Sequence, residues 1–282
     1  MAFGSVLILT KNEQQDLPGC LASVSWCDDV VVYDSCSTDR TQDLARAAGA
    51  RCIERRFDDW SSHQNWALRN ITFRHPWILY LDADERLTVE AVAELQSLWL
   101  NPPQNYVAYR IRRRDFFRGR HLRYVQASPW YIRFFRPECV RYERLVNPVT
   151  LVDGPVGELV HPLDHYPFSK GLSHWIARHN SYSSLEAQQI MDNRRSQEPF
   201  SLVAAFFESD FHRRRFHQKE FFYRLPARPL LKFLYLYCFK RGFLDGGPGL
   251  TYAILQTIYE FMICLKVEEL QLQQMARVVK SS

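Results

Sequence analysis

Three uninterrupted apolar runs punctuate the first hundred residues: Val6-Leu7-Ile8-Leu9, Val30-Val31-Val32-Tyr33 and Trp77-Ile78-Leu79-Tyr80-Leu81. Runs without polar alternation predict strands covered on both faces, as in a parallel sheet. A shorter strand is expected around Arg51-Cys52-Ile53. Between the runs the period lengthens to that of a helix. Leu17, Leu21 and Val24 recur at i, i+4 and i+7, with Pro18 in the first turn, where its missing N–H is harmless. Asp39 is placed to cap a helix through Leu44 and Ala48 that stops at Gly49. Thr88 reads as a further N-cap, with Leu87 and Val92 at the spacing of a hydrophobic staple. Strands alternating with helices predict a doubly wound α/β domain with right-handed crossovers.

From Tyr106 the pattern turns strand-like, at residues 106–109, 131–135 and 149–152, with turn signals at Arg118-Gly119, Pro137 and Asp153-Gly154-Pro155. Residues 171–193 read as helical. Two apolar stretches follow, 229–239 and 250–265. Neither offers the roughly 20 uncharged residues of a spanning helix, the first being short and the second containing Glu260. Positions 250, 254, 255, 258, 261, 262 and 265 form a helical stripe instead. Aromatics beside Arg and Lys suit a helix lying among lipid headgroups, or one packed on the α/β domain.

Composition changes this picture little. The chain has 282 residues with ordinary apolar and charged fractions, which excludes a disordered or fibrous protein. Seven cysteines without a CxxC pair form neither a disulfide framework nor a zinc knuckle, and suit a reducing compartment. The opening MAFGSVLILTKNE lacks the basic start and long apolar core of a signal peptide, so a cytoplasmic location is expected. Charge is segregated. Residues 110–144 hold eleven arginines against Asp115, Glu138 and Glu143, and residues 205–241 hold nine Lys or Arg against Glu208, Asp210 and Glu220. Phosphate, carboxylate, membrane headgroups or nucleic acid would each suit such arginines.

The candidate chemistry lies where the strands end. The runs exit into Thr10-Lys11-Asn12-Glu13, Asp34-Ser35-Cys36-Ser37-Thr38-Asp39 and Asp82-Ala83-Asp84-Glu85. In open α/β sheets that edge is the ligand crevice. Three carboxylates within four residues repel one another unless a cation sits among them, and Mg²⁺ or Mn²⁺ prefers such oxygen ligands together with substrate phosphates. Neither a GxGxxG fingerprint nor a P-loop occurs. His161, Asp164 and His165 have ligand spacing, but Pro162 and the strand-like context argue against a shared helical face, so no metal is assigned to them.

In order along the chain, SVLILTKNE, VVVYDSCSTDRT, HQNWAL, WILYLDADE, RRRDFFRGR, VDGPVG and RGFLDG resemble the inverting glycosyltransferases of family 2, in particular bacterial enzymes of lipopolysaccharide-core and exopolysaccharide synthesis. The resemblance implies a GT-A-like, Rossmann-like, mostly parallel α/β fold with a helical C-terminal extension. It divides the chain into a catalytic domain, 1–170, with a nucleotide-sugar half (1–100) and an acceptor half (101–170), and a membrane-associating helical region, 171–282. By resemblance Thr10, Asn12, Glu13, Asp34, Gln64 and Asn65 line the donor pocket, and Asp82 and Asp84 hold the Mg²⁺ or Mn²⁺ on the nucleotide-diphosphate sugar. Arg112 and Arg133 are expected to bind an acceptor phosphate or the leaving diphosphate. Two departures stand out: Gln64 replaces a usual Lys or Arg, and Val146-Asn147-Pro148 replaces a His-Glu pair that would supply a base. Glu143 is therefore the expected base by position, with Asp115 second. The expected acceptor is a lipid-linked saccharide at the cytoplasmic face of the bacterial inner membrane, with no nucleic acid involved. Competing readings are a sugar-phosphate nucleotidyltransferase, for which KNEQQDLPG is a poor phosphate loop, and a basic nucleic-acid-binding module, against which the acidic crevice argues.

Overall fold

The computed structural model describes residues 4–100, 105–126, 129–143, 149–195, 200–209 and 211–281. The chain divides into two compact units, residues 1–121 with 127–170, and residues 122–126 with 171–282.

The first unit opens with β1 (Gly4–Thr10), α1 (Leu17–Ser23), β2 (Val30–Asp34), α2 (Thr41–Ala47), β3 (Arg51–Glu54), α3 (Trp60–Asn70) and β4 (Trp77–Asp82). Then come β5 (Glu85–Leu87), α4 (Val89–Leu100), β6 (Ala108–Phe117), β7 (Arg120–His121) and β8 (Trp130–Phe135). β9 (Val140–Glu143), β10 (Val149–Val152), β11 (Val156–Glu158) and β12 (Leu163–His165) complete it. Among the described residues the main sheet runs β3-β2-β1-β4-β8-β6-β12-β5, with β7 and β11 added on β6. The first four strands are parallel. β8 enters antiparallel between β4 and β6, so the sheet is mixed beyond β4.

The apolar runs are continuous because alternate residues feed two cores. Val6, Ile8, Val32, Leu79 and Leu81 pack with Leu17 and Leu21 of α1, Ala45 of α2 and Leu95 of α4. Leu7, Val31, Tyr33, Ile78 and Tyr80 pack on the opposite side with Ala67 of α3. Helices on both faces leave no solvent side for polar residues. α3 is an element the apolar periodicity does not announce. Its segment WSSHQNWALRN is mostly polar, but Asp59 caps it by accepting from Ser62 N at 2.9 Å. Thr88 caps α4 as expected, accepting from Ala91 N at 3.1 Å.

The second unit is helical: α5 (Gly171–Arg195), α6 (Leu202–Phe207), α7 (Phe211–Arg224), α8 (Arg228–Leu234) and α9 (Gly246–Ser281). Ala187, Ile190 and Met191 of α5 bury against Ile263 and Val267 of α9. Glu260, which interrupts the apolar stretch, is buried in a pair with Arg228 of α8. By length and composition alone, Gly242–Ala276 is long and apolar enough to cross a membrane, although Asp245, Glu260 and Lys266 leave it no run of roughly 20 uncharged residues. The stripe is also divided: Leu255 is buried, whereas Leu250, Ile254, Ile258, Phe261 and Leu265 are exposed.

Candidate active site

Parallel pairing sets Thr10 across from Asp34 and Leu9 across from Asp82, so the loops after β1, β2 and β4 leave from one edge. The first two loops interlock. Asp34 accepts from Thr10 Oγ1 (2.7 Å), Ser37 N (2.7 Å), Ser37 Oγ (2.6 Å) and Gln42 Nε2 (2.9 Å). It is fully buried. Through these bonds Asp34, an expected nucleotide-pocket residue, braces the turn beside it. Asn12, in the left-handed region at φ 54, donates its N–H to Ser37 Oγ and accepts from Thr38 N, both at 2.8 Å. Lys11 Nζ donates to the carbonyls of Ser35 and Cys36. Glu13 pairs with Lys170. Burial pushes the Glu13 carboxyl up to about 7, with Lys170 pulling it down and Asp84 and Asp16 adding to the rise.

Cations within the chain already stand among the acidic run. Arg133 Nη2 donates to Asp82 Oδ2 at 2.7 Å and to Glu85 Oε1 at 2.5 Å, while Arg113 lies 3.8 Å from Glu85. Tyr80 Oη donates to Asp82 Oδ1 at 3.0 Å and accepts from Gln64 Nε2 at 2.9 Å. The acidity of Asp82 and Glu85 is therefore balanced by arginine, which the sequence reading left to a metal. Glu85 is wholly buried, and burial raises its pKa against the opposing pull of Arg133.

Asp84 is met by a histidine that the sequence reading set aside. β12 lies between β5 and β6, with His165 in register with both Glu85 and Asp115. His165 Nε2 stands 3.3 Å from Asp84 Oδ2, and Nδ1 pairs with Asp115. Burial disfavours the imidazolium, but the Asp84 and Asp115 carboxylates outweigh it and carry His165 up to about 9. Among the described residues no three His, Cys, Asp or Glu side chains form a ready metal cage.

Other expected residues fall elsewhere. Asn65 anchors β9, donating to Tyr142 O at 2.8 Å and accepting from Tyr142 N at 2.9 Å, a structural clasp. Arg112 points away from the acidic run and lies over Trp130, 5.2 Å from its ring centroid. Alternation along β6 gives its expected place to Arg113, which pairs with Asp115 at 3.1 Å. Asp115, the second candidate base, is buried between Arg113 and His165, so it orients the histidine and offers no open carboxylate. Glu143 is exposed on β9 and faces Arg141 at 3.5 Å, outside the cluster. Val146-Asn147-Pro148 lies outside the described residues.

Comparison with known proteins identifies the family and the fold. The sequence model of glycosyl transferase family 2 matches residues 5–151. An uncharacterised glycosyltransferase of Rickettsia typhi is 26% identical, aligned over 95% of this chain and 88% of its own. The lipopolysaccharide core biosynthesis glycosyltransferase LpsC of Rhizobium meliloti is 27% identical over 89% of each chain. A TPR repeat-containing protein of Synechococcus elongatus is 37% identical, but over 52% of this chain and 36% of its own length. Among solved structures, the mannosyltransferase PcManGT of Pyrobaculum calidifontis, in complex with GDP-Man and Mn²⁺, superposes with a TM-score of 0.53 at 15% identity, covering 94% of this chain and 87% of that one. That likeness identifies the fold as GT-A. With the family model spanning more than half of its residues and glycosyltransferases aligning along nearly its whole length, the chain belongs to glycosyl transferase family 2.

Proposed function

We propose that the chain is a metal-dependent, inverting glycosyltransferase that moves a sugar from a nucleotide-diphosphate donor to a hydroxyl of a lipid-linked or lipopolysaccharide saccharide. The observation that carries this reading is the line Asp84–His165–Asp115 at the carboxyl edge of the sheet. Its chemistry fits Mg²⁺ or Mn²⁺. Asp84 offers oxygen, His165 offers Nε2 once it sheds its proton, and Asp115 holds the other ring nitrogen, as carboxylates commonly do for metal-bound histidines. With so few protein ligands the remaining positions suit diphosphate oxygens and water. A cation there would offset the charge gathering on the departing diphosphate.

The chain's own residues do the rest. Arg133 and Arg113 hold Asp82 and Glu85 in place behind Asp84. Of the two expected bases Glu143 keeps an accessible carboxylate. In this reading it takes the proton of the acceptor hydroxyl as the oxygen attacks the anomeric carbon from the face opposite the diphosphate. The lipopolysaccharide role named for LpsC, together with the exposed apolar ridge of α9, supports an acceptor presented at the cytoplasmic membrane surface.

The test is incubation with sugar nucleotides and Mn²⁺ or Mg²⁺, followed by product analysis. Nucleoside diphosphate should be released, and the product linkage should show the opposite anomeric configuration by NMR. Asp115→Asn should lower the rate by about 10- to 100-fold through loss of His165 orientation. Unchanged turnover in Glu143→Gln removes Glu143 as the base, and release of pyrophosphate moves the chain to the nucleotidyltransferases.

A further inference from the structure

Arg86 follows the acidic run directly, yet it takes no part in balancing it. Its Nε is buried without a hydrogen-bond partner, and no ion pair among the described residues joins it. The guanidinium carbon lies 4.4 Å from the centroid of the Tyr166 ring, and Phe116 stacks with Tyr166 at 5.4 Å between centroids. Asp16 feels the positive charge of Arg86 but stands too far away to pair with it, and is held by Ser169 Oγ at 2.6 Å. Gln15 donates to Ser169 O at 2.7 Å. These side chains line an open pocket of about 270 Å³. Its lip is the β6–β7 turn, where Arg118 and Gly119 both take positive φ. The pocket adjoins the acidic edge, because Tyr166 N donates to Asp84 O at 2.9 Å.

A guanidinium without an ion pair, a carboxylate beyond pairing distance from it, and aromatic side chains lining the same pocket suit one class of ligand. Vicinal hydroxyls can accept from the arginine and donate to the carboxylate at once, while the C–H face of a sugar ring lies on the aromatic surface. The volume equals that of about nine waters, the scale of one hexose ring. We infer that this pocket is a saccharide subsite that holds one ring of the acceptor, gripped by Arg86 and Asp16 and stacked on Phe116 and Tyr166. The inference rests on the glycosyltransferase reading above and adds the acceptor's position to it.

Saturation-transfer NMR with methyl β-glucopyranoside, methyl α-mannopyranoside and methyl β-galactopyranoside tests it. At least one glycoside should receive saturation, strongest on the protons of one ring face. Arg86→Ala should weaken that binding by about tenfold or more, as for loss of a charged hydrogen bond. Phe116→Ala should weaken it too, whereas Arg86→Lys, which keeps the charge and the packing, should preserve the fold and part of the signal. Asp84→Asn should retain the sugar signal while losing release of nucleoside diphosphate. This separates the subsite from the donor site: full activity in Asp84→Asn would sink the proposed function and leave the subsite standing. No signal from any glycoside, or signals that ignore both Arg86 and Phe116, overturns the subsite. Displacement by inorganic phosphate that depends on Arg86 but not on Phe116 overturns it as well, by showing a simple anion site.

Discussion

His63 lies beside the β2 loop, stacked on Tyr33 with 4.2 Å between ring centroids. Arg55 Nη1 approaches its Nδ1 at 2.9 Å and Ser35 Oγ stands 3.1 Å from Nε2. A guanidinium donor at Nδ1 demands a lone pair there, so the ring is neutral with its proton on Nε2. Burial, reinforced by the charge of Arg55, lowers its pKa to about 4, and burial does the same to His179. An unfolded histidine titrates near 6.5. Below that pH the unfolded chain binds protons at these two positions that the folded one refuses, so their contribution to stability is complete above about 6.5 and declines as the pH falls toward 4, against a smaller opposite contribution from Glu13. Thermal melts across that window should show the decline, and His63→Gln with His179→Gln should flatten it. An unchanged slope in the double variant rules out both histidines as its source. Residue types were the legible part of this site, and orientation was not. Asp84 was recognisable as a carboxylate at a strand end. That Arg113 rather than Arg112 faces the acidic run depends on strand parity, and a short sequence window around four consecutive basic and acidic residues does not reveal that parity.

Elements with strong periodicity were anticipated, while those held by polar clasps were not. β1, β2 and β4 sit on their apolar runs. α3 rests on the Asp59 cap and the Asn65 clasp to β9, and neither leaves a hydrophobic period to read. The start of α9 is a further case of close approach. A Cβ on Gly249 would collide with the carbonyl oxygen of Gly242 and with Asp245 Cβ, whereas Gly247, two residues earlier in the same segment, faces open space. Asp245 in turn accepts from the N–H groups of Arg123, Tyr124 and Val125 at 3.1, 2.9 and 2.8 Å, so displacing it frays a buried knot of hydrogen bonds. Gly249→Ala should therefore cost about 1–3 kcal/mol. Gly247→Ala should be neutral or gain up to about 1 kcal/mol from reduced chain entropy. Urea midpoints for the two variants check this, and equal midpoints would refute the packing argument.

At the scale of the whole molecule, charge and apolar surface divide between the units. The first unit carries the acidic strand edge and its arginine counterweights. The second carries an exposed ridge, Leu250, Ile254, Ile258, Phe261 and Leu265, on a helix whose other face packs through Ile263 and Val267. Exposed apolar surface of this extent on a chain rich in Lys and Arg calls for a lipid or protein cover. The lipid reading predicts that the chain co-sediments with vesicles containing anionic phospholipid and that high salt weakens the binding. Ile258→Glu with Phe261→Glu should lower partitioning by about two orders of magnitude, the scale of two buried apolar side chains. A wild-type chain that stays in the supernatant ends the membrane reading. The sequence by itself determined the strand-helix alternation, the acidic run at a strand end and the family, because each is written in neighbouring residues and in the period of burial. Only the tertiary structure decided that His165 and Asp115 stand behind Asp84, that Arg133 and Arg113 balance Asp82 and Glu85, and that Arg86 lines a pocket without an ion pair. These relations join residues dozens of positions apart, and strand register brings them within reach only once the sheet has closed.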